Sequence, residues 1–283
     1  MFGFININKP KGITSHDVVA ILRRILKIKQ IGHTGTLDPF AEGVLPICIG
    51  KATRLIEFLE DEKAYIGTVQ FGKSTDTYDV DGKIINTSEK QITFEDLENA
   101  LKDFRGEIEQ TPPIYSAIKI NGKKLYEYAR EGKDVEIKPR KVYIQKLEIL
   151  SFDEIKQQAE LYIECSKGTY IRSIANDLGL ALQTYGYLTK LVRVKAGKFT
   201  LRESIELNKL NSKEKCLAHL ISPIEKLNYP KYELTKAEFD KVSHGNPIQI
   251  ESQNGITILI YENKIVAVAN IDENLAKILK VFI

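Results

Sequence analysis

The polar stretch Gly32-His33-Thr34-Gly35-Thr36-Leu37-Asp38-Pro39 sets one aspartate among two glycines, a histidine and a proline. Gly32 and Gly35 can adopt backbone angles that other residues avoid. Pro39 fixes its own φ angle and favours an extended conformation for Asp38. The pattern predicts a stiff loop that presents one carboxylate, although an Asp-Pro pair that simply starts a turn fits the same residues.

Helix and strand patterns lie on both sides of this loop. Apolar residues recur at helical spacing over residues 16–28, 94–104 and 171–182, and the first of these segments follows the capping candidates Thr14 and Ser15. Strand patterns occupy residues 65–71, 141–150 and 161–165. The mixture predicts an α+β fold with a mixed, largely antiparallel sheet and flanking helices.

The composition changes after Pro223, where short apolar runs replace the longer elements. Residues 256–261 and 264–269 flank Glu262-Asn263, which predicts a β-hairpin. We therefore expect a large domain over residues 1–225 and a small, β-barrel-like domain over residues 226–283.

Overall composition is that of a soluble globular protein: 283 residues, 43% hydrophobic and 28% charged. No apolar run approaches the roughly 20 residues that span a bilayer, and the first residues do not resemble a signal peptide. We expect a cytoplasmic protein with no membrane partner. Cys48, Cys165 and Cys216 are widely spaced, which predicts buried thiols rather than disulfides. The four histidines show no metal-ligand spacing, so we expect no metal site.

Positive charge is concentrated in one segment. The whole chain carries a net charge of +3, but residues 119–141 alone hold eight basic and four acidic side chains. Tyr115, Tyr126 and Tyr128 lie within or next to this segment. Cations can meet phosphates and aromatic rings can meet bases, so residues of about 110–138 are candidates for an RNA-facing surface. A solvated lysine-rich loop explains the same residues.

The block from Gly32 to Arg54 resembles the catalytic loop of bacterial tRNA pseudouridine-55 synthases of the TruB type. Four further blocks agree with that family, in its order: residues 8–15, 75–82, 123–130 and 165–172. The resemblance implies the pseudouridine synthase fold with a C-terminal PUA-type domain. It also implies an enzyme that flips uridine 55 out of the tRNA T loop and isomerises it without a cofactor. We expect it to contact the T arm and elbow of tRNA, to need no guide RNA and to be a monomer.

The resemblance assigns roles at the reaction centre. Asp38 matches the catalytic aspartate, and Arg172 matches its arginine partner. A guanidinium beside a carboxylate favours the ionised form of that carboxylate. Tyr170 matches a residue beside the target base. Tyr170 and Arg172 would share one strand face if the preceding strand continued that far, or lie at its end. Without the resemblance, a surface arginine and a half-buried core tyrosine would fit as well.

Further residues match substrate-binding positions of the family. Tyr65 corresponds to the residue on which the base stacks, although a tyrosine of a strand core fits the pattern. His33 corresponds to the residue that fills the space vacated in the RNA, and Leu191 to an apolar wall of the uracil pocket. Lys9, in the opening Asn-Lys-Pro motif, is expected to approach the catalytic loop. Asp79 is expected to orient basic groups of the site.

The expected RNA contacts are basic residues of two segments: Lys119, Lys123, Lys124, Arg130, Arg193 and Lys195. The sequence departs from the family at Val192, where an arginine is usual. We expect Arg193 and Lys195 to compensate for that missing contact.

Pseudouridine formation is an isomerisation, so the resemblance implies neither a cofactor nor an outside reagent. The carboxylate either attacks C1′ of the ribose or removes a proton from C2′, and the sequence leaves both open. Other functional classes remain open: a tRNA-folding chaperone without catalysis, a guide-RNA-dependent synthase, and a small-molecule glycosidase. Glycosidases commonly use two carboxylates, whereas this loop contains one.

Overall fold

The computed structural model describes residues 1–283. Its β-strands are, in chain order, β1 (Gly3–Lys9), β2 (Ile31–His33), β3 (Glu42–Ile49), β4 (Lys63–Phe71), β5 (Lys73–Thr75), β6 (Ile84–Thr87), β7 (Gly106–Gln110), β8 (Lys119–Ile120), β9 (Lys123–Lys124), β10 (Arg140–Asp153), β11 (Gln158–Cys165), β12 (Gly186–Ala196), β13 (Phe199–Thr200), β14 (Ile205–Glu206), β15 (Lys231–Glu233), β16 (Ile248–Gln249), β17 (Gly255–Tyr261), β18 (Lys264–Asp272) and β19 (Leu275–Val281).

The α-helices are α1 (Ser15–Leu26), α2 (Phe94–Leu101), α3 (Leu125–Arg130), α4 (Ile171–Ala181), α5 (Lys213–Ala218), α6 (Pro223–Lys226) and α7 (Lys236–Val242). Short 3-10 helices occupy Gly50–Phe58, Lys102–Phe104, Leu201–Glu203 and Leu207–Lys209. None of the helices is long and apolar enough to cross a membrane.

A ten-stranded sheet forms the centre of the fold. Its main order is β14-β1-β3-β12-β4-β11-β10-β7, and β2 and β13 are attached to β3 and β12. All its pairs are antiparallel except β1 with β14 and β3 with β12. Helices α1, α2 and α4 bury their apolar faces with this sheet in one core. The predicted α+β class with a largely antiparallel sheet is confirmed.

Predicted elements agree with the structure to within a few residues. Helix α1 begins after Thr14, whose hydroxyl accepts a hydrogen bond from the Asp17 N–H while the Asp17 carboxylate accepts from the Thr14 N–H. It ends at Lys27, which is in the left-handed region with φ 55°. The predicted strands at 65–71, 141–150 and 161–165 correspond to β4, β10 and β11, each slightly longer than its pattern.

A second, curled sheet of five strands, in the order β15-β17-β18-β19-β16, follows α6. Glu262 and Asn263 join β17 to β18 with φ angles of 50° and 58°, the left-handed pair that a tight hairpin needs, so the predicted hairpin is confirmed. Side chains of both sheets share one core, among them Phe4, Ile258 and Phe282. The boundary that we expect at residue 225 falls inside α6.

Residues 110–138 form an arm that leaves the sheet at the end of β7 and returns at β10. Strands β8 and β9 pair around Asn121-Gly122, where both residues have a positive φ, and α3 follows directly. The three cysteines are buried and unpaired, as predicted. Burial raises the pKa of the Cys48 thiol to about 12 and that of Cys165 to about 11.

Candidate active site

Asp38 lies in the loop that joins β2 to β3, which we call the Asp38 loop (residues 34–41). The Ala41 N–H donates to the Asp38 carbonyl at 3.1 Å, so Asp38 and Pro39 open a tight turn. The Asp38 side chain is 33% exposed. The two interpretations of the Asp-Pro pair are therefore compatible, because the turn itself presents the carboxylate.

Helix α1 holds the Asp38 loop from one side. The Ser15 hydroxyl, at the first residue of the helix, accepts from the Leu37 N–H at 2.8 Å and donates to the Leu37 carbonyl at 3.1 Å. The Gly12 N–H donates to the Pro39 carbonyl at 2.8 Å. These three bonds fix the backbone on both sides of Asp38.

Lys9 ends β1 and lies behind the loop with none of its surface exposed. Its Nζ donates to the carbonyls of Ile13 at 2.7 Å, Pro10 at 2.9 Å and Pro39 at 3.4 Å. Burial lowers the pKa of Lys9 to about 8, and the negative charge of Asp38 opposes part of that change. Lys9 therefore lies beside the Asp38 loop and binds its backbone at Pro39.

Arg193 holds the same loop from β12 and is 1% exposed. Its guanidinium donates to the carbonyls of Val44 at 2.7 Å, Gly35 at 3.0 Å and Thr36 at 3.4 Å. The expectation that Arg193 contacts RNA on the surface does not fit this burial. Arg193 shares the inward face of its strand with Leu191, and its donors are directed at loop carbonyls.

Close contact between β3 and β12 makes this arrangement possible. Gly43 has a φ of 103°, and a Cβ placed on it would lie 2.3 Å from the Arg193 carbonyl oxygen. Only glycine allows both the backbone angle and the approach of the two strands. The start of β3, immediately after the Asp38 loop, is thereby brought against Arg193.

Arg172 meets Asp38 from the first turn of α4. Its Nε lies 2.9 Å from Asp38 Oδ2, and its Nη2 donates to Oδ1 at 3.3 Å. The Arg172 side chain is only 5% exposed and also donates to the carbonyls of Thr77 and Tyr115. The predicted pairing of Asp38 and Arg172 is present in the structure. A continuing strand is wrong for Arg172, because β11 ends at Cys165 and α4 begins at Ile171.

Asp79 is the second carboxylate on Arg172. Its Oδ2 lies 3.3 Å from Arg172 Nη1, and its Oδ1 accepts from the Thr77 hydroxyl at 2.6 Å and from the Asp81 N–H at 3.0 Å. Asp79 is 5% exposed, and burial raises the pKa of its carboxyl group. This arrangement holds the guanidinium between two acidic groups, Asp38 and Asp79.

The residues expected around the target base lie on neighbouring elements. Tyr65, on β4, is paired in register with Arg193 and is 7% exposed, so it is a core residue as well as a candidate platform. Burial raises the pKa of its hydroxyl, and the charges of Arg193 and Asp38 both act on it. Leu191 is buried on the adjacent strand, and Tyr170 is half-buried at the start of α4.

His33 ends β2, at the entrance to the Asp38 loop. Its Nδ1 is buried without a hydrogen-bond partner, and burial lowers the pKa of the imidazole. The neighbouring positive charge of Arg193 acts in the same direction. Both effects favour the neutral form of the imidazole, and its Nδ1 is a polar atom without a partner beside the loop.

The basic residues of the arm lie on its tyrosine rings. Lys123 Nζ lies 4.8 Å from the centre of the Tyr128 ring, and Lys124 Nζ lies 5.3 Å from that of Tyr126. The Arg130 guanidinium lies 5.3 Å from the same Tyr126 ring. Lys119 and Arg130 are exposed, and Lys123 and Lys124 are partly exposed. The arm thus combines cations and aromatic rings on one small unit.

Lys195 and Val192 lie on β12 beyond Leu191 and are both partly exposed. Lys195 Nζ lies 2.7 Å from Glu164 Oε1 and 3.5 Å from Glu62 Oε2, so it already has two acidic partners. An RNA phosphate would have to compete with these carboxylates for it.

Sequence reasoning missed several residues that build the site. Ser15 appeared only as a helix cap, and Gln110 had no assigned role, although its side chain binds both backbone groups of Tyr170. A neutral amide gives no motif, so no sequence signal identifies Gln110. No group of three or more histidine, cysteine or acidic side chains is arranged to hold a metal ion.

Comparison with known proteins gives consistent matches. Residues 23–171 match the model described as TruB family pseudouridylate synthase (N terminal domain), and residues 172–227 match that of the tRNA pseudouridylate synthase B C-terminal domain. The tRNA pseudouridine synthase B of Carboxydothermus hydrogenoformans is 43% identical, over 100% of this chain and 99% of its own length. That of Lactobacillus acidophilus is 44% identical, over 94% of this chain and 93% of its own.

Solved structures show the same fold. A chain of an H/ACA RNP bound to a substrate RNA containing 2'-deoxyuridine superposes with a TM-score of 0.74 at 23% identity. The match covers 100% of this chain and 85% of that one. The archaeal box H/ACA sRNP Nop10-Cbf5 complex gives a TM-score of 0.72 at 23% identity, over 99% of this chain and 86% of that one.

Proposed function

Since this chain belongs to the TruB family of pseudouridylate synthases and acts on tRNA, we propose that it isomerises uridine 55 of the T loop, with Asp38 as its catalytic residue. The observation that carries the proposal is the ion pair between Asp38 and Arg172, in which Oδ2 and Nε lie 2.9 Å apart. Arg172 belongs to the first turn of α4, and Asp38 lies on a loop that Ser15 and Arg193 hold from two sides. A carboxylate that is one-third exposed and lies on a stiff loop is suited to meet a ribose.

The reaction breaks the C1′–N1 bond of uridine, turns the base and joins C5 to C1′. The C5 proton is lost and N1 gains one, so the atoms balance without another reagent. Asp38 acts either by attacking C1′ or by removing a proton from C2′. Uracil leaves as a delocalised anion, so no second carboxylate is needed to protonate a leaving oxygen.

Arg172 and Asp79 position the carboxylate. Arg172 Nη2 donates to Asp38 Oδ1, and its Nε lies 2.9 Å from Oδ2. The guanidinium also contacts Asp79 and the carbonyls of Thr77 and Tyr115. A guanidinium with three partners besides Asp38 can move little. It therefore keeps Asp38 in one orientation as the substrate enters.

The target nucleotide must leave the RNA stack, because its C1′ and C5 atoms cannot be reached inside a folded elbow. Tyr65 is the proposed stacking platform, Tyr170 and Leu191 are walls of the uracil pocket, and His33 enters the space left in the RNA. A base stacked on an aromatic ring contributes about 1–3 kcal/mol. This gain offsets part of the cost of unstacking.

The arm is proposed to grip the T arm through the cations and tyrosines described above, and the small C-terminal domain is proposed to be of the PUA type. A protein that opens the elbow in order to flip a base would also act as a tRNA-folding chaperone. We further propose that it works as a monomer in the cytoplasm, with neither cofactor nor guide RNA.

An unmodified tRNA transcript incubated with the purified protein alone tests the proposal, wild type beside Asp38→Asn. Pseudouridine at position 55 with wild type only, together with unchanged tRNA binding by the variant, is the expected result. Product with Asp38→Asn would refute the role of Asp38. Pseudouridine at another position would refute the proposed target, and a requirement for added RNA would refute guide independence.

A further inference from the structure

The root of the arm is attached to the active-site helix through Gln110, the last residue of β7. The Gln110 Oε1 accepts from the Tyr170 N–H at 2.8 Å, and its Nε2 donates to the Tyr170 carbonyl at 3.0 Å. Gln110 is 1% exposed. One buried amide therefore binds both backbone groups of a residue sixty positions away.

Tyr170 is the N-cap residue immediately before α4, and its side chain makes no capping hydrogen bond. The Tyr170 carbonyl also accepts the first hydrogen bond of the helix, from the Ile174 N–H at 3.2 Å. Helix ends leave backbone groups without partners inside the helix. Gln110 supplies a partner to this end from another part of the chain.

Two further contacts join the same segments. The Ser173 hydroxyl donates to the Thr111 carbonyl at 2.8 Å, and Arg172 Nη2 donates to the Tyr115 carbonyl at 3.0 Å. Gln110 differs from Thr111 and Tyr115 in that its own backbone is fixed in the sheet, where it pairs with Arg140 of β10. The Gln110 side chain thus fixes the start of α4 relative to β7, a strand of the main sheet.

We propose that Gln110 is a positioning residue for the isomerisation, which acts by fixing the first turn of α4 and thereby the direction of the Arg172 guanidinium towards Asp38. The inference rests on the proposed function of that site. Arg172 lies two residues beyond the clamped Tyr170, so a small rotation or shift of the helix start displaces its guanidinium. Displacements of about 1 Å can slow catalysis roughly 100-fold.

The chain contains a matched control for this clamp. Gln157 Oε1 accepts from the Ile92 N–H at 2.8 Å, and its Nε2 donates to the Ile92 carbonyl at 3.0 Å. Gln157 is 9% exposed and precedes β11, and its hydrogen-bond partners belong neither to α4 nor to the Asp38 loop. It makes the same two bonds to one residue, and its Nε2 also donates to the Glu154 carbonyl at 2.8 Å.

The experiment compares Gln110→Met with Gln157→Met by thermal unfolding, by tRNA affinity and by single-turnover rate on tRNA transcript at saturating enzyme. Both variants lose a clamp and should unfold at a lower temperature. Only Gln110→Met should slow the saturated rate, by roughly 10–100-fold, with tRNA affinity within about threefold of wild type. Gln110→Glu keeps the volume and the acceptor but loses the donor, and it should also slow the rate.

Three results would overturn the inference: equal slowing by both methionine variants, a wild-type saturated rate in Gln110→Met and Gln110→Glu, or a loss confined to tRNA affinity. If Gln110→Met does not fold, Gln110→Glu and Gln157→Glu replace the pair, with the same criteria. Wild type is assayed in parallel. No product with wild type would refute the proposed function, whereas normal wild-type product beside unaffected Gln110 variants would refute this inference alone.

Discussion

Replacing Lys9 with methionine tests how the fold holds a buried cation behind the Asp38 loop. Lys9 is completely buried, and its pKa falls from 10.5 to about 8 in the folded protein because of desolvation. A pKa difference of about 2.5 corresponds to about 3 kcal/mol of unfavourable free energy when the lysine is charged in both states. The three carbonyls that it binds offset part of this cost.

The pH dependence of the unfolding free energy separates the effect of the Lys9 charge from the effect of its packing. Below pH 8, Lys9 is protonated in both the folded and the unfolded chain, and the full penalty applies. Between pH 8 and 10.5 the folded protein has released this proton while the unfolded chain still holds it, so the stability contributed by Lys9 rises with pH. From pH 7 to pH 9.5, wild type should gain about 2 kcal/mol relative to Lys9→Met.

Urea unfolding followed by circular dichroism gives the unfolding free energy of wild type and Lys9→Met at pH 7 and pH 9.5. The contributions of the other titrating groups are common to both proteins and cancel in the comparison. Lys11→Met is the control, because Lys11 is an exposed lysine in the turn that follows β1, two residues from Lys9. A stability difference between wild type and Lys9→Met that does not change with pH would refute the reasoning. It would mean that Lys9 keeps its proton in the fold as readily as in water.

Three further perturbations test other parts of the site. Asp79→Asn removes a charge that orients the active-site arginine, and single-turnover assays should show a rate roughly 10–100-fold lower with tRNA affinity little changed. Charge reversal of both Lys123 and Lys124 should weaken tRNA binding and reduce the slope of log binding constant against log salt concentration by about 1.4, measured by filter binding. The single-turnover rate at saturating enzyme should be unchanged. Gly43→Ala should cost more than 2 kcal/mol in urea unfolding, because its Cβ meets a backbone oxygen at 2.3 Å; Gly106→Ala, with φ 81° and open space, should cost about 1 kcal/mol.

Local patterns predicted the elements of the fold because each carries its own signal. The capping residues before α1 and the Glu262-Asn263 turn have local physical causes, so the sequence alone reveals them. Arg172 shows the limit of the local patterns. They left open a continuing strand beside the helix predicted over residues 171–182, and the structure places Arg172 in the helix. Gly168, with a φ of 83°, lies in the turn that separates β11 from α4, and the Lys-Gly pair before Thr169 is its local signal.

Arg193 is an error of a different kind. Its strand alternation places it on the buried face with Leu191, and that alternation can be read from the sequence. The expectation that it contacts RNA comes from Val192, where the arginine usual in the family is missing, and not from its own place in the strand. What the sequence cannot supply is the set of carbonyls that makes this burial tolerable, because Gly35, Thr36 and Val44 are brought to it only by the pairing of β3 with β12.

The way in which the Asp38 loop is held bears directly on the chemistry proposed for it. Lys9 and Arg193 are buried cations, and each could have been paired with a carboxylate, yet both donate to backbone carbonyls. A carboxylate has about four acceptor positions on its two oxygens. Since the loop is fixed through its backbone, the Asp38 carboxylate is engaged by Arg172 alone, and one-third of the Asp38 side chain is exposed. The Asp38 loop is thus held in place without engaging the Asp38 carboxylate oxygens that must approach a ribose carbon or its proton.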